Sequence, residues 1–304
     1  MAVDKGVFSP GELIPAPCGL LGVAEVHYSN DEESEWVRSN FSVENNARPQ
    51  AVRLRTLANQ TVANGDIYVD PNAADPNRYD ILAPFFIEIS DKRTALGILG
   101  EDRFARALEQ LDAISQKSVE YELWTGAAAR VNDAANAQLN STYLTRQGTK
   151  VVSTGALPPK TALAMLEQEI AIQSPTGGSG VIHMTRDVAS SIMGVGSGMS
   201  YQTDERGFSF LITSLGTPVV VGSGYTGAGP TGAANAAPTA ANKWAFVTGP
   251  VSVFLGEKEL INENMSQGFN SRTNDMSIVA NRPAAVYFDP SIHAAARVAI
   301  PDVS

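Results

Sequence analysis

EDRFARALEQLDAISQKSVEYELWTG, Glu101–Gly126, is the stretch on which the reading of this chain turns. Phe104, Ala107, Leu108, Leu111, Ile114, Tyr121 and Trp124 recur mostly at steps of three, four or seven, the spacing of one helix face. Glu109, Asp112, Gln116, Lys117 and Glu120 fall on the opposite face, so the pattern predicts one dry and one wet side. Gly126 stands where a left-handed stop is cheapest, because glycine has no Cβ to clash. About 24 residues make a rod of about 36 Å, well beyond the usual globular helix. Nearly every other signal in the chain is strand or loop. A lone rod in a strand-rich chain suggests a mechanical part rather than a catalytic one.

The bulk numbers point the same way. The 304 residues are 43% hydrophobic and only 18% charged, below the usual quarter. A chain with so few charges hides surface against partners. A net charge of −10 argues against tight duplex binding, which needs Lys and Arg to neutralise phosphates. Cys18 is the single cysteine, so no internal disulfide framework forms and a reducing compartment is expected. We expect it to be a small, partly buried residue. No apolar run is long enough to span a membrane. The opening MAVDKGVFSP shows no basic segment followed by an apolar one, so no leader peptide is expected.

Residues 1–46 read as an extended arm, broken by Pro10, Pro15 and Pro17, that buries little within its own chain. Residues 47–90 read as a long two-stranded excursion. AVRLRTLA (Ala51–Ala58) alternates apolar and basic residues, Asn64-Gly65 signals a tight turn, and Asp66–Val69 returns. YDILAPFFIEIS (Tyr79–Ser90) is a strand, and Pro84 assigns this part to an edge or a bulge. Beyond the rod, Pro158-Pro159 opens a helix with the stripe Leu163, Leu166 and Ile170. Strands are expected at Val181–Met184, in FSFLIT and TPVVVG, on both sides of Gly249-Pro250, at Met276–Ala280, at Ala284–Phe288 and at Ala295–Ile300. Thr185 is the expected cap of a short helix, Arg186–Met193. Gly222–Asn242 reads as a flexible, exposed small-residue loop.

No chemistry is legible. His27, His183 and His293 have no metal-ligand spacing, and no GxSxG elbow occurs. The glycines of 222–232 lack the Gly-Lys-Ser/Thr of a phosphate loop and do not lead into a helix. Glu167/Glu169 and Glu257/Glu259 read as solvated charge, and His183 as a packed structural residue. No catalytic, metal or cofactor site is assigned.

The order of parts is more specific than any single motif. PFFIEIS precedes the long helix, VEYELWTG ends it, LPPKTALAMLEQEIA and GVIHMTRDVA follow, then PVVVGSGY, and the chain closes with RPAAVYFDP. In this order the chain resembles a tailed-phage major capsid protein of the HK97 type, over most of 40–300. The resemblance implies an α+β capsid fold. Its parts would be an N-arm (1–46), an extended loop (47–82), a peripheral domain (83–135 and 250–304) with its spine helix at 101–124, and an axial domain (136–249). It implies a structural, non-enzymatic protein that assembles as pentamers and hexamers into an icosahedral virion shell in the host cytoplasm. Its expected partners are other copies of itself, a portal, a separate or already removed scaffolding protein and a decoration protein. Double-stranded DNA would be packed inside without sequence-specific binding, and no membrane is involved. The same fold serves encapsulin-like nanocompartments, the alternative reading. A third, a small-molecule enzyme with a β-rich body, would show itself as a small oligomer with a deep pocket.

Inter-subunit contacts are expected at Arg53, Arg55, Arg78, Glu109, Asp112 and Glu120. Some relatives of this type cross-link a lysine of the extended loop to an asparagine. Residues 41–91 contain no lysine, Lys92 being the first after them, so no such cross-link is expected.

Overall fold

The computed structural model describes residues 16–28, 41–44, 51–55, 61–69, 79–82, 84–94, 103–128, 142–174, 180–193, 198–203, 209–261, 269–270 and 275–301. The chain enters through a tight turn at Leu20–Gly22 and β1 (Glu25–Tyr28). An excursion follows, made of β2 (Phe41–Glu44), β3 (Ala51–Arg55), β4 (Thr61–Val69) and β5 (Tyr79–Leu82), before β6 (Phe85–Thr94). The rod is α1 (Arg103–Thr125). After it come β7 (Lys150–Val151), α2 (Pro159–Gln173), β8 (Val181–Thr185), α3 (Arg186–Ile192), β9 (Met199–Thr203), β10 (Ser209–Thr213) and β11 (Pro218–Gly222). The chain ends through β12 (Asn242–Thr248), β13 (Val251–Leu255), β14 (Glu259–Leu260), β15 (Phe269–Asn270), β16 (Asp275–Phe288) and β17 (His293–Ala299).

Two sheets carry the core. The six-stranded one runs β1-β13-β16-β14, with β6 and β15 also on β16. Alternate residues of β6 and β16, among them Ile87, Ile278, Ala280 and Val286, pack in one cluster with Ala107, Leu111, Val119 and Leu123 of α1. Period two on the strands meets period 3.6 on the helix. The seven-stranded sheet runs β7-β17-β12-β8-β11-β10-β9. Leu163, Leu166 and Ile170 of α2 and Val188 of α3 pack on Ile182, Val219 and Val247 from one of its faces. Val181, Val220, Trp244 and Phe246 of its other face join the cluster around the C-terminal end of α1. With both faces covered, VIHMT in β8 is buried at every position.

The chain crosses between the sheets at Gly249-Pro250 and again at 289–292. The crossings are tied together: Gly249 N donates to the Asp289 and Ile292 carbonyls (3.2 and 3.1 Å), and Asp289 N donates to Pro250 O (2.9 Å). A Cβ on Gly249 would stand 2.6 Å from the Asp289 carbonyl oxygen, so only glycine fits there without displacing backbone.

Several expectations are corrected. Ile114 and Tyr121 are exposed (41% and 47%), while Gln116 and Glu120 are buried. A seven-residue step drifts off a 3.6-residue helix, so the buried stripe rotates away from residues chosen at sevens. The segment 16–28 is no outlying arm. Leu20 and Leu21 are buried beside α1, and β1 pairs in parallel with β13. Asn64-Gly65 makes no turn: β4 runs through it, and the register with β3 slips between Val52 and Arg55, as a glycine inside a strand allows. Pro84 separates β5 from β6 instead of lying in one strand. β16 is continuous through Arg282-Pro283 where two strands were expected, with Pro283 registered on Phe86 of β6. β17, grouped in the expected division with 250–304, is hydrogen-bonded into the seven-stranded sheet. Thr185 makes no side-chain cap bond to α3. Asp187 Oδ1 accepts both the Thr185 hydroxyl (2.5 Å) and the Val188 N–H (3.0 Å).

Candidate assembly surfaces

The end of α1 is the mechanical centre of the molecule. Gly126 takes the left-handed conformation (φ +59°) and its N–H caps the Glu122 carbonyl at 2.7 Å, so the helix stops as its sequence predicts. Just before the stop, Trp124 is fully buried. Its ring lies 4.6 Å from Tyr225 and 5.0 Å, edge-on, from Phe246. Its N–H donates to the Ala228 carbonyl at 3.0 Å. One turn earlier Glu120, also fully buried, accepts the Leu20 N–H at 3.0 Å, the Gly224 N–H at 2.9 Å and the Ser223 hydroxyl at 3.1 Å. Burial raises the Glu120 pKa, opposed by those donated bonds. The side chain therefore staples the entering segment and the 222–230 loop to the rod.

This overturns two expectations. Glu120 is an intramolecular staple and not a contact to another copy. The first part of Gly222–Asn242 is packed: Gly222, Gly224, Tyr225, Gly227, Gly229 and Pro230 are buried, whereas 231–241 is largely exposed. A Cβ on Gly224 would stand 2.2 Å from the Lys117 carbonyl, so glycine here answers to close approach of loop and helix rather than to flexibility.

Tyr225 continues the network into the sheet. Its hydroxyl lies 2.8 Å from His183 Nδ1, and His183 Nε2 lies 2.9 Å from Thr248 Oγ1, which donates to the Gly249 carbonyl at 2.8 Å. Because the threonine proton is committed to that carbonyl, Nε2 donates and Nδ1 accepts, and the imidazole is neutral. Burial, then the neighbouring His293, lowers the His183 pKa to about 3. Burial, then Arg146, lowers that of His293 to about 3, although the Leu144 carbonyl 3.1 Å from its Nε2 opposes this. Both imidazoles are held by hydrogen bonds within the chain. The folded chain keeps both neutral down to about pH 3, while the unfolded chain protonates them near 6.5. Stability present above pH 6.5 is thus lost on acidification, by roughly 2 kcal/mol per imidazole at about pH 5. Glu120, with its raised pKa, acts in the opposite sense. Thermal denaturation of His183→Gln and the unmodified chain at neutral and mildly acid pH isolates the effect: the variant is expected to lose less on acidification.

The other expected contact residues separate into groups. Glu109 is exposed on α1. Asp112, half-exposed, is held within the chain: it accepts from Arg282 Nη1 at 3.1 Å and pairs with Lys258. Arg53 and Arg55 lie on β3, whose side chains fall outside the description, and Arg78 lies outside the described residues. Glu169, read as solvated, is buried against Lys150 (2.8 Å) and Gln173 (2.6 Å). The sequence reading missed an exposed corner of the six-stranded sheet, on the face turned away from α1. Phe86 and Ile261 are exposed there (56% and 49%) beside the exposed carboxylates Glu88 and Glu259. The alternation FFIEIS was the available signal: Phe85, Ile87 and Ile89 turn to the core, leaving Phe86 and Glu88 outside.

Among the described residues no helix is long and apolar enough to cross a membrane, and no cluster of His, Cys, Asp and Glu is placed to hold a metal. No family model matches the chain, and no curated protein matches it. Solved structures do. The capsid of an empty GTA particle aligns at 12% identity with a TM-score of 0.53, covering 98% of this chain and 95% of that one. The holo-SrpI encapsulin complex from Synechococcus elongatus PCC 7942 aligns at 11% and 0.52, covering 99% and 95%. A structure from Gordonia phage Cozz aligns at 10% and 0.51, covering 99% and 91%. The chain has the fold common to these structures. It is the HK97-type capsid fold implied by the order of its sequence motifs.

Proposed function

We propose that this chain is a major capsid protein, the structural subunit of an icosahedral shell of pentamers and hexamers around double-stranded DNA. The observation that carries the reading is end-to-end likeness to the capsid of a GTA particle, with nearly all of both chains aligned. The fold fits the task. A rod anchored in two sheets makes a stiff plate, and closed symmetry lets one weak contact recur many times. The net charge of −10 suits a lining that must not adhere to nucleic acid. In this reading the six-stranded sheet with α1 is the peripheral part, and the seven-stranded sheet with α2 and α3 the axial part. Residues 47–82 serve as the extended loop. Assembly takes place in the host cytoplasm with a portal, a scaffolding protein and a decoration protein, and the role is non-enzymatic.

The test is electron microscopy and sedimentation of the chain expressed alone. Closed shells support the reading, and a discrete small oligomer overturns it. The encapsulin likeness, equal in quality, supports a second reading, a shell around a protein cargo. Shells isolated from the native source decide between them by content, dense DNA against an enclosed enzyme. Denaturing electrophoresis of those shells is expected to show a single monomer band, because 41–91 offers no lysine amine for cross-linking; a ladder of multimers would refute this.

A further inference from the structure

A cleft of about 560 Å³ is lined from both sheets. That size is usual for a small-molecule site. From the seven-stranded side come Glu167, Ile170 and Ala171 of α2, the start of β8 at Val181, and the β10–β11 turn. From the six-stranded side come Glu25 of β1 and Val251 of β13. The lining is largely apolar, and its only ionisable groups are the two carboxylates. Glu167 Oε2 accepts the Thr217 hydroxyl at 2.7 Å, while Glu167 Oε1 is shut from water with no hydrogen-bond partner among the described residues. Glu25 is exposed, and the His27 imidazole 3.6 Å away is its one described ion-pair partner. Leu215, at the tip of the turn, is 77% exposed, more than any other large hydrophobic residue described. The turn is nonetheless fixed, because Thr213 Oγ1 accepts the Leu215 and Thr217 N–H groups at 3.3 and 3.2 Å. The cleft thus offers a held apolar surface and acceptors of negative charge, and no cation of its own.

The chemistry of that lining selects its occupant. An unpaired oxygen shut from water is costly, and a donor entering beside it removes the cost. Anions are repelled by both carboxylates, and an uncharged apolar molecule leaves Glu167 as it was. A magnesium ion holds its waters and gains nothing from apolar walls. A lysine side chain of another protein brings one ammonium to two carboxylates that stand on different sheets. A linear aliphatic polyamine meets every feature. Its ammonium groups make charge-assisted hydrogen bonds to both glutamates. Its methylenes cover Ile170, Val181, Pro218 and Val251, with Leu215 beside them.

We propose that this cleft is a binding site for a linear aliphatic polyamine, held by Glu167 from α2 and Glu25 from β1 with its methylene chain against the apolar residues between them. The site is complete within one chain and does not rest on the shell reading. The test is calorimetric titration of the full chain with spermidine at physiological salt, where diffuse attraction to a chain of net charge −10 is screened. Spermidine is expected to bind at one saturable site per chain and to raise the thermal midpoint. Glu167→Gln and Glu25→Gln should each weaken binding by at least about tenfold, the loss of one charge-assisted contact. Glu25 is exposed, so its variant folds normally and keeps the test sound if Glu167→Gln does not. Ala171→Phe, at an exposed position of α2 that lines the cleft, should abolish binding with every charge in place. Glu109→Gln, on the exposed face of α1, should leave binding unchanged. Butylamine, with one ammonium, should bind at least about tenfold more weakly than spermidine. No saturable binding, or equal affinity in the Ala171→Phe chain, means that the cleft holds water and counter-ions only and overturns the proposal. Butylamine binding as tightly as spermidine overturns the pairing of two carboxylates with two ammonium groups.

Discussion

Trp124→Ala is expected to destabilise the chain by about 4 kcal/mol, the range for emptying a buried indole site. The side chain is fully buried where α1, the seven-stranded sheet and the 222–230 loop meet. Its loss removes ring contacts to Tyr225 and Phe246 and leaves the Ala228 carbonyl without its donor. The surroundings cannot collapse into the space, because the loop is held separately by Glu120 and the sheet by its ladders. Two measurements check this. Chemical denaturation should show the drop in stability, and hydrogen exchange should show amides of 224–230 opening before those of β8 and β12. Trp124→Phe should keep roughly half the loss away, since it refills most of the volume but not the hydrogen bond. Equal stability of Trp124→Ala and the unmodified chain would mean that the junction is not a packing centre.

Glu120→Ala should have an effect of similar size for a different reason. The substitution leaves the Leu20 and Gly224 N–H groups and the Ser223 hydroxyl facing a buried space with no acceptor. A buried donor stripped of its partner costs about 1–3 kcal/mol, so the sum is several kcal/mol even with some water entering. Glu120→Gln keeps one acceptor oxygen but turns an amino group toward donors, and should fall between. Glu109→Ala, on the exposed face, should change stability by less than about 0.5 kcal/mol and serves as the control. Limited proteolysis reads the two ends of the staple: cleavage within 16–24 and within 222–230 should rise together in Glu120→Ala. Cleavage rising at only one of them would show that the carboxylate does not couple the segments.

The junction also shows where reading the sequence succeeds. The helix, its glycine stop and the proline start of α2 are local events. Their causes lie within a few residues: side-chain period, the missing Cβ of Gly126, the fixed φ of Pro159. The strand alternation in PFFIEIS is local in the same way. The phase of α1 is different. Gln116 and Glu120 look like solvent residues until the Ala16 carbonyl, the Leu20 N–H and the Gly224 N–H arrive from far along the chain. A buried polar side chain is tolerated only when its partners are supplied, and nothing near it in sequence announces them.

The amino-acid sequence by itself determined the rod, the order of strands and helices around it, the absence of a lysine from the excursion, and through that order the fold. Only the tertiary structure decided that β17 leaves one sheet for the other, that 16–28 belongs to the body, and that the glycines after β11 are packed. It alone decided which carboxylates are staples and which stand open on a sheet face. The reason is range: periodicity and backbone preference act between neighbours, whereas burial of a charge or a close backbone approach depends on residues a hundred positions away, brought together only by the folded chain.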